Sequence, residues 1–289
     1  MSIIVNMACG LANRMFQYSY YLYLKQIGYD ALVDYSRVAK LKHEVVFWEK
    51  IFPHAYLPQA SYFKILKLGG GKDIISKIVR KYLPSLTSVH QMQSAFDVVL
   101  PYSDNKDAYM IGVFQNAEMV SKISNQVRHK FQFAEFQDEY NLSLQREMKD
   151  SQSIAIHVRK AKDYTTNYWF KDTCPLSYYI NAVKYMNTKV DNPKYYVFTD
   201  NPEWVKENFD WLEYKLVDHN PSFGWGNHFD MQLMSSCHHN IISNSTYAWW
   251  AAFINSNDGQ IVIPKIWFNP NSGVECSSER LRCRDWVAL

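Results

Sequence analysis

No run of about eighteen apolar residues occurs in this sequence, so nothing in it is long enough to cross a bilayer as a helix. The five cysteines, Cys9, Cys174, Cys237, Cys276 and Cys283, form no C-x-x-C pair. An odd number at such spacings excludes a disulfide frame and a zinc site, and fits free thiols in a reducing compartment. A large excess of one sign of charge is also missing. A net charge of +3 over 289 residues is too small to imply a nucleic-acid partner, so an acidic ligand would have to meet a local basic patch. No G-x-G-x-x-G follows a strand, which weighs against a dinucleotide enzyme. The tract Gly69-Gly70-Gly71-Lys72-Asp73 lacks the Ser or Thr that a phosphate loop needs after its lysine, and reads as an ordinary loop. No Asp-x-Asp is present to hold a divalent cation through carboxylate oxygens, so metal-independent chemistry is expected. The opening Met1-Ser-Ile-Ile-Val-Asn6 has neither the charged n-region nor the apolar h-region of a signal peptide, which predicts a cytoplasmic protein.

The residues that are present alternate in period. At 47% hydrophobic, the chain can bury a large core, and its length suits two domains of about 100–150 residues. Ile3 to Val5 reads as a strand, and Leu11, Met15, Tyr18 and Leu22 follow at helical spacing. Further strands are expected at Ala31 to Val33, Tyr109 to Val113, Ile154 to Val158, Tyr195 to Phe198, Tyr214 to Val217, Asn240 to Ile242 and Gln260 to Pro264. Helices are expected from Asn116 towards Phe131, from Pro175 to Met186, after the cap Thr199-Asp200-Asn201-Pro202, from Phe229 to His238 and from Thr246 to Ile254. The aromatic-rich stretch from Lys40 to Leu100 shows no regular pattern, and the polar segment from Ala134 to Ser151 reads as a link. This alternation predicts an α/β protein of two Rossmann-like, doubly wound domains, residues 1–150 and 151–289, facing each other across a cleft.

One segment carries chemistry. The apolar run Ile154-Ala-Ile-His157-Val ends in Arg159, Lys160, Lys162 and Asp163. In open α/β sheets ligands bind beyond the carboxyl ends of strands, so these charges fall where a phosphorylated ligand would be held. The plainer readings make Arg159 a carboxylate's partner, His157 a hydrogen-bonded core histidine, Asp163 a helix cap or a partner of Lys160, and Asp230 a residue favoured by a helix dipole. Trp249 and Trp250 read as core, and His238-His239 beside Cys237 as packing residues, since helix neighbours point apart.

Four motifs together resemble a known family. Asn6-Met-Ala-Cys-Gly10-Leu-Ala-Asn13-Arg14-Met-Phe-Gln17-Tyr18 resembles G-G-L-G-N-Q-M-F-Q-Y, and the basic strand end resembles H-x-R-R-G-D-Y. Val197-Phe-Thr-Asp200-Asn resembles F-S-D-D, and the segment from Asp230 through Asn244-Ser245-Thr246 to Trp250 resembles D-x-x-L-M-x-x-C-x-H-x-I-x-x-N-S-T-F-S-W-W. In this order they are the signature of the bacterial α-1,2-fucosyltransferases. The resemblance implies a GT-B-like fold and inverting transfer of L-fucose from GDP-β-L-fucose to the 2-hydroxyl of a terminal galactose, on an oligosaccharide or a lipid-linked glycan. It implies no metal cofactor and at most peripheral contact with the inner face of a membrane. It assigns the N-terminal domain to the acceptor and the C-terminal one to the donor. Arg159 would stabilise the departing diphosphate, because a guanidinium grips phosphate as a fork. By the same resemblance His157 would help hold the nucleotide, Asp230 would accept from guanine, Asn244, Ser245 and Thr246 would donate to phosphate oxygens, and Asn13 would approach the β-phosphate or the fucose.

The sequence departs from the family at the basic strand end, where Lys160 replaces the second arginine, Ala161 the glycine, and Lys162 is inserted before Asp163. Either Lys160 or Lys162 could therefore carry the second positive charge, and Asp163 is the candidate base for the acceptor hydroxyl. Two rivals stand beside this reading. One is a fucosyltransferase of other regiochemistry; the other is a non-catalytic module that binds GDP-sugar or glycan.

Overall fold

A computed structural model describes residues 2–36, 48–70, 74–82, 88–100, 107–171 and 173–289, and within them all side chains except those at 75, 80, 163 and 164. The chain divides into two compact units, Met1–Gln132 and Phe133–Leu289.

The first unit contains β1 (Ser2–Asn6), α1 (Leu11–Gln26), β2 (Asp30–Asp34), α2 (Trp48–Ile51), α3 (Tyr62–Lys67), α4 (Ile74–Tyr82), β3 (Val89–Gln91), β4 (Ala108–Ile111), α5 (Ala117–Lys122) and α6 (Ser124–Lys130). Its sheet runs β2-β1-β4-β3 with every pair parallel. Ile3, Ile4 and Val5 are wholly buried, as an apolar run in a central parallel strand requires. The stretch from Lys40 to Leu100 is more structured than its pattern suggests. Its described parts hold α2, α3, α4 and β3; α2, α3 and β3 are too short to display a period, whereas α4 does repeat apolar residues at Ile74, Ile78 and Tyr82. Ile65 and Leu68 anchor α3 against Ile4, Ala60 and Tyr109. Gly70 is required by that packing, because a Cβ there would fall 2.3 Å from the Tyr109 ring. Gly71, Lys72 and Asp73 lie outside the described residues. The helix expected up to Phe131 is two helices, α5 and α6, since Ile123 between them leaves the helical region at φ −122° and ψ 22°.

The second unit contains α7 (Glu139–Lys149), β5 (Ser153–Val158), α8 (Lys162–Thr165), α9 (Leu176–Asn187), β6 (Lys194–Thr199), α10 (Pro202–Asn208), β7 (Lys215–Val217), α11 (Phe229–Ser236), β8 (His239–Ile241), α12 (Thr246–Ile254), β9 (Ile261–Ile263) and β10 (Val287–Ala288). The segment read as a link is helix α7. Asp138 caps it by accepting the Asn141 N–H at 2.8 Å, and Leu144 and Met148 are its buried apolar residues. Only two of the apolar positions in this polar stretch are buried, too thin a stripe to announce a helix. Pro175 stands at the N-cap of α9, one residue before the first helical position expected for it. Pro202 does open α10, where Asn201 Oδ1 accepts the Trp204 N–H at 3.1 Å. Helix α12 is apolar on every side and buried, with Trp249 and Trp250 wholly covered, so their reading as core residues holds.

The six-stranded sheet runs β10-β9-β8-β5-β6-β7, again all parallel. From β5 the chain moves outward through β6 and β7, then returns to the other side of β5 as β8. The order therefore reverses between β5 and β8. Connections leave the sheet in opposite directions at such a point, opening a crevice at the carboxyl ends of the two strands.

Candidate active site

His157 and Ser243 stand at that reversal. The imidazole Nδ1 lies 2.8 Å from the Ser243 hydroxyl, joining the ends of β5 and β8. His157 is 8% exposed, and burial, aided by the neighbouring Arg159 charge, pushes its pKa down to about 3. It is neutral at physiological pH and acts through hydrogen bonds, not as a cation.

Arg159 leaves β5 beside Asp200 at the end of β6. Its Nε lies 3.0 Å from Asp200 Oδ2, an ion pair with the arginine side chain 36% exposed. That oxygen accepts no hydrogen bond among the described residues, so the contact is one of charge and not of N–H alignment. Asp200 Oδ1 takes the backbone N–H groups of Lys160 at 2.7 Å and Ala161 at 2.9 Å. Asn201 Nδ2 adds a bond to the Lys160 carbonyl at 2.9 Å, so the whole turn after β5 hangs from the end of β6. Lys160 itself bends back into the unit. Its Nζ donates to the Cys174 carbonyl at 2.6 Å and sits 5.1 Å from the centre of the Trp204 ring. Lys162 is exposed at the start of α8. Asp163 follows on that helix, and its side chain lies outside the described residues.

The loop from β8 into α12 carries Asn244, Ser245 and Thr246. Asn244 is 3% exposed and turned inward, with Nδ2 donating to the Trp267 carbonyl at 2.9 Å and Oδ1 accepting from Cys174 Sγ at 3.4 Å. Its side chain is a brace. Ser245 is the extended N-cap residue of α12, and both it and Thr246 are partly exposed. The first N–H groups of a helix have no partner within it and favour an anion.

Asp230 occupies the first turn of α11. Its Oδ1 accepts from Asn220 Nδ2 at 2.8 Å. Burial pushes its pKa up to about 6, with the Asn220 bond opposing the rise and Asp218 adding to it. Tyr247 links this helix to α12, since its hydroxyl accepts the Met231 N–H at 2.8 Å and donates to the Asn227 carbonyl at 2.7 Å. The Tyr247 ring is 6.2 Å from that of His157. One tyrosine thus gathers Asp230, His157 and the start of α12 into a neighbourhood. Sequence reasoning places Asp200 only in a helix cap and a motif, and assigns no role to Ser243 or Tyr247. All three lie inside or beside the motifs, but motif membership says nothing of which atoms meet.

Asn13 belongs to the first unit. It lies on α1 beside that unit's own reversal, between β1 and β4, and its Oδ1 accepts from Gln115 Nε2 at 2.9 Å. Gln17, one turn later, accepts the Ala8 N–H and donates to the Gly112 carbonyl, both at 2.8 Å, and so fixes the turn before α1.

Among the described residues there is no cluster of three or more His, Cys, Asp or Glu able to hold a metal ion, and no helix long and apolar enough to cross a membrane. All five cysteines are free.

The family model for glycosyl transferase family 11 matches residues 3–289. The chain belongs to that family. This family 11 glycosyltransferase is 31% identical over 145 residues to the O-antigen biosynthesis glycosyltransferase WbnK of Escherichia coli, a match that covers 49% of this chain and 46% of that one. It is 26% identical over 292 residues to an α-1,2-colitosyltransferase of Escherichia coli, covering 93% of both. Its fold is shared with the crystal structure of fucosyltransferase NodZ from Bradyrhizobium, at TM-score 0.50 and 11% identity over 86% of this chain and 92% of that one. The two Rossmann-like α/β units expected of a GT-B-like enzyme are therefore present.

Proposed function

We propose that this family 11 glycosyltransferase moves L-fucose from GDP-β-L-fucose to the 2-hydroxyl of a terminal galactose, with inversion. The observation that carries the reading is the grouping of neutral His157, Arg159 and the start of α12 at the β5/β8 reversal of a family 11 chain. The second unit holds the donor and the first the acceptor glycan. The acceptor oxygen attacks C1 of the fucose, the bond from C1 to the β-phosphate oxygen breaks, and GDP leaves with the electron pair. Arg159, Lys162 and the first N–H groups of α12 at Ser245 and Thr246 take up the charge that develops on the diphosphate, in place of a metal ion. The hydroxyl proton passes to Asp163. Asp230 accepts the N1–H and amine of guanine, His157 hydrogen-bonds the nucleotide, and Asn13 contacts the donor.

A second donor has its own support. The relative matched over nearly its full length is a colitosyltransferase, so an enzyme of this framework can use a sugar other than fucose. Incubation with GDP-fucose or GDP-colitose and a panel of β-galactosides, with the linkage read by NMR, separates the readings. An α-1,2-fucosyl galactoside formed in the presence of EDTA is the expected product. Transfer of colitose alone, a different linkage, a requirement for added metal, or GDP binding without transfer would each replace the corresponding part.

A further inference from the structure

Among its described side chains, helix α4 turns an apolar stripe outward. Ile74, Ile78 and Tyr82 recur at intervals of four and form one stripe along the helix. They are 75%, 51% and 66% exposed, while Ser76 is buried and Val79 half-buried. A helix on a globular domain ordinarily turns such a stripe to the core. Helix α3 shows the same feature on a smaller scale, since it buries Ile65 but leaves Tyr62 and Phe63 exposed.

The apolar groups are set among cations. Between Tyr62 and Tyr82 the sequence carries Lys64, Lys67, Lys72, Lys77, Arg80 and Lys81 against the single acid Asp73, a net +5 where the whole chain carries +3. The rest of the molecule is therefore slightly acidic, and the basic charge is concentrated on the segment that exposes its aliphatic and aromatic side chains. Lys64, Lys67, Lys77 and Lys81 are all exposed. Aliphatic groups with tyrosine and lysine at their margins match the boundary between acyl chains and headgroups, where aromatic rings settle and lysine stems reach back to phosphate.

We propose that α3 and α4 form a contact surface for a bilayer containing anionic phospholipid. At about 1.5 Å per residue, α4 is roughly 13 Å long, far short of the ~30 Å hydrocarbon core, so it lies along the surface with its isoleucines dipped between headgroups. Charge complementarity selects this partner over a neutral apolar one, because the exposed Lys64, Lys67, Lys77 and Lys81 on these two helices favour a surface that carries anions. The contact is independent of which sugar the enzyme transfers.

Sedimentation of the full chain with vesicles tests it. Vesicles of equal parts phosphatidylglycerol and phosphatidylcholine should carry the protein down at low salt and release it at high salt, while phosphatidylcholine alone should leave it in solution. Lys77→Glu with Lys81→Glu should weaken binding by about tenfold or more, at roughly fivefold for each basic residue near an anionic surface. Ile78→Asp should weaken it at unchanged net basic clustering elsewhere, with an unaltered melting temperature showing that the fold is intact. Failure of the unmodified protein to sediment with anionic vesicles would overturn the proposal, as would binding that neither variant alters. Self-association abolished by Ile78→Asp, without vesicle binding, would assign the face to a second copy instead.

Discussion

Asp200 divides its carboxylate between Arg159 and the turn that follows Arg159. Oδ2 lies 3.0 Å from the arginine Nε, and Oδ1 accepts the N–H groups of Lys160 and Ala161 at 2.7 and 2.9 Å. The acid at the end of β6 thereby sets both the backbone that launches Arg159 from β5 and the orientation of its guanidinium. An Arg159 placed by two strands is held in advance of the leaving-group charge that the proposed function has it meet, as electrostatic stabilisation demands.

Arg159→Lys should lower kcat by about 10²-fold or more with the fold intact, because an ammonium cannot reproduce a forked grip on phosphate. Asp200→Asn keeps an acceptor for the two N–H groups but removes the charge beside Nε, and should lower kcat by about tenfold with GDP affinity little changed. Steady-state kinetics beside calorimetric titration with GDP checks both. Normal turnover in either variant removes that residue from the reaction.

Asp230 should make nucleotide binding depend on pH. Its carboxyl is pushed up to about 6 from an ordinary 3.8, so the carboxylate that guanine needs is lost as pH falls through 6, and GDP affinity should drop by up to about tenfold per unit below that. Asp230→Asn should lack this step. GDP's own phosphate, which titrates in the same range, affects both proteins alike, so their difference isolates Asp230. The stability sign is opposite. A raised pKa means that the folded chain binds the proton more tightly, so Asp230's contribution is present at low pH and lost as pH rises through 6. Asp230→Asn should therefore melt no lower than the unmodified protein at pH 8, and a large fall in melting temperature there would contradict this account.

Asn244 should prove to be structural. Its amide holds the Trp267 carbonyl and meets Cys174 in the interior, so Asn244→Ala leaves buried polar groups unpaired and should cost about 1–3 kcal/mol, or several degrees of melting temperature. GDP affinity in the folded fraction should change little. A selective loss of GDP affinity without loss of stability would restore the phosphate role that the family resemblance implies.

Asp163→Asn should depress turnover by about 10²-fold or more while leaving GDP affinity in place, since the substitution keeps size and removes basicity. Initial rates at saturating GDP-fucose decide it. Full turnover would leave Asp163 a residue of helix α8 and nothing more.

Much of this arrangement was legible in the sequence, for reasons that differ by element. Ile154 to Val158 is an apolar run broken only by His157 because β5 is covered on both faces, and the apolar α12 stands out for the same reason. Helix α7 did not, because only two of its apolar positions, Leu144 and Met148, are buried in an otherwise polar segment, and α2 and α3 did not, because a helix of four to six residues spans too few turns to show its period; α4 does repeat, at Ile74, Ile78 and Tyr82, but within a stretch otherwise without a regular pattern. The sequence by itself determined which residues end up at strand ends, since the switch from apolar run to polar residues marks where a strand leaves the sheet. That alone placed His157 and Arg159 at the end of β5, whereas Ser245 was reached only through the family resemblance. Only the tertiary structure decided what each side chain does there. Strand order put β8 beside β5, so His157 found Ser243; β6 brought Asp200 to Arg159; and Lys160 and Asn244, both read as ligand groups, were drawn into braces on Cys174, Trp204 and Trp267. Periodicity reports the environment of a backbone position, whereas a hydrogen bond requires two atoms distant in the chain to arrive within 3 Å of each other, which strand order and side-chain packing alone specify.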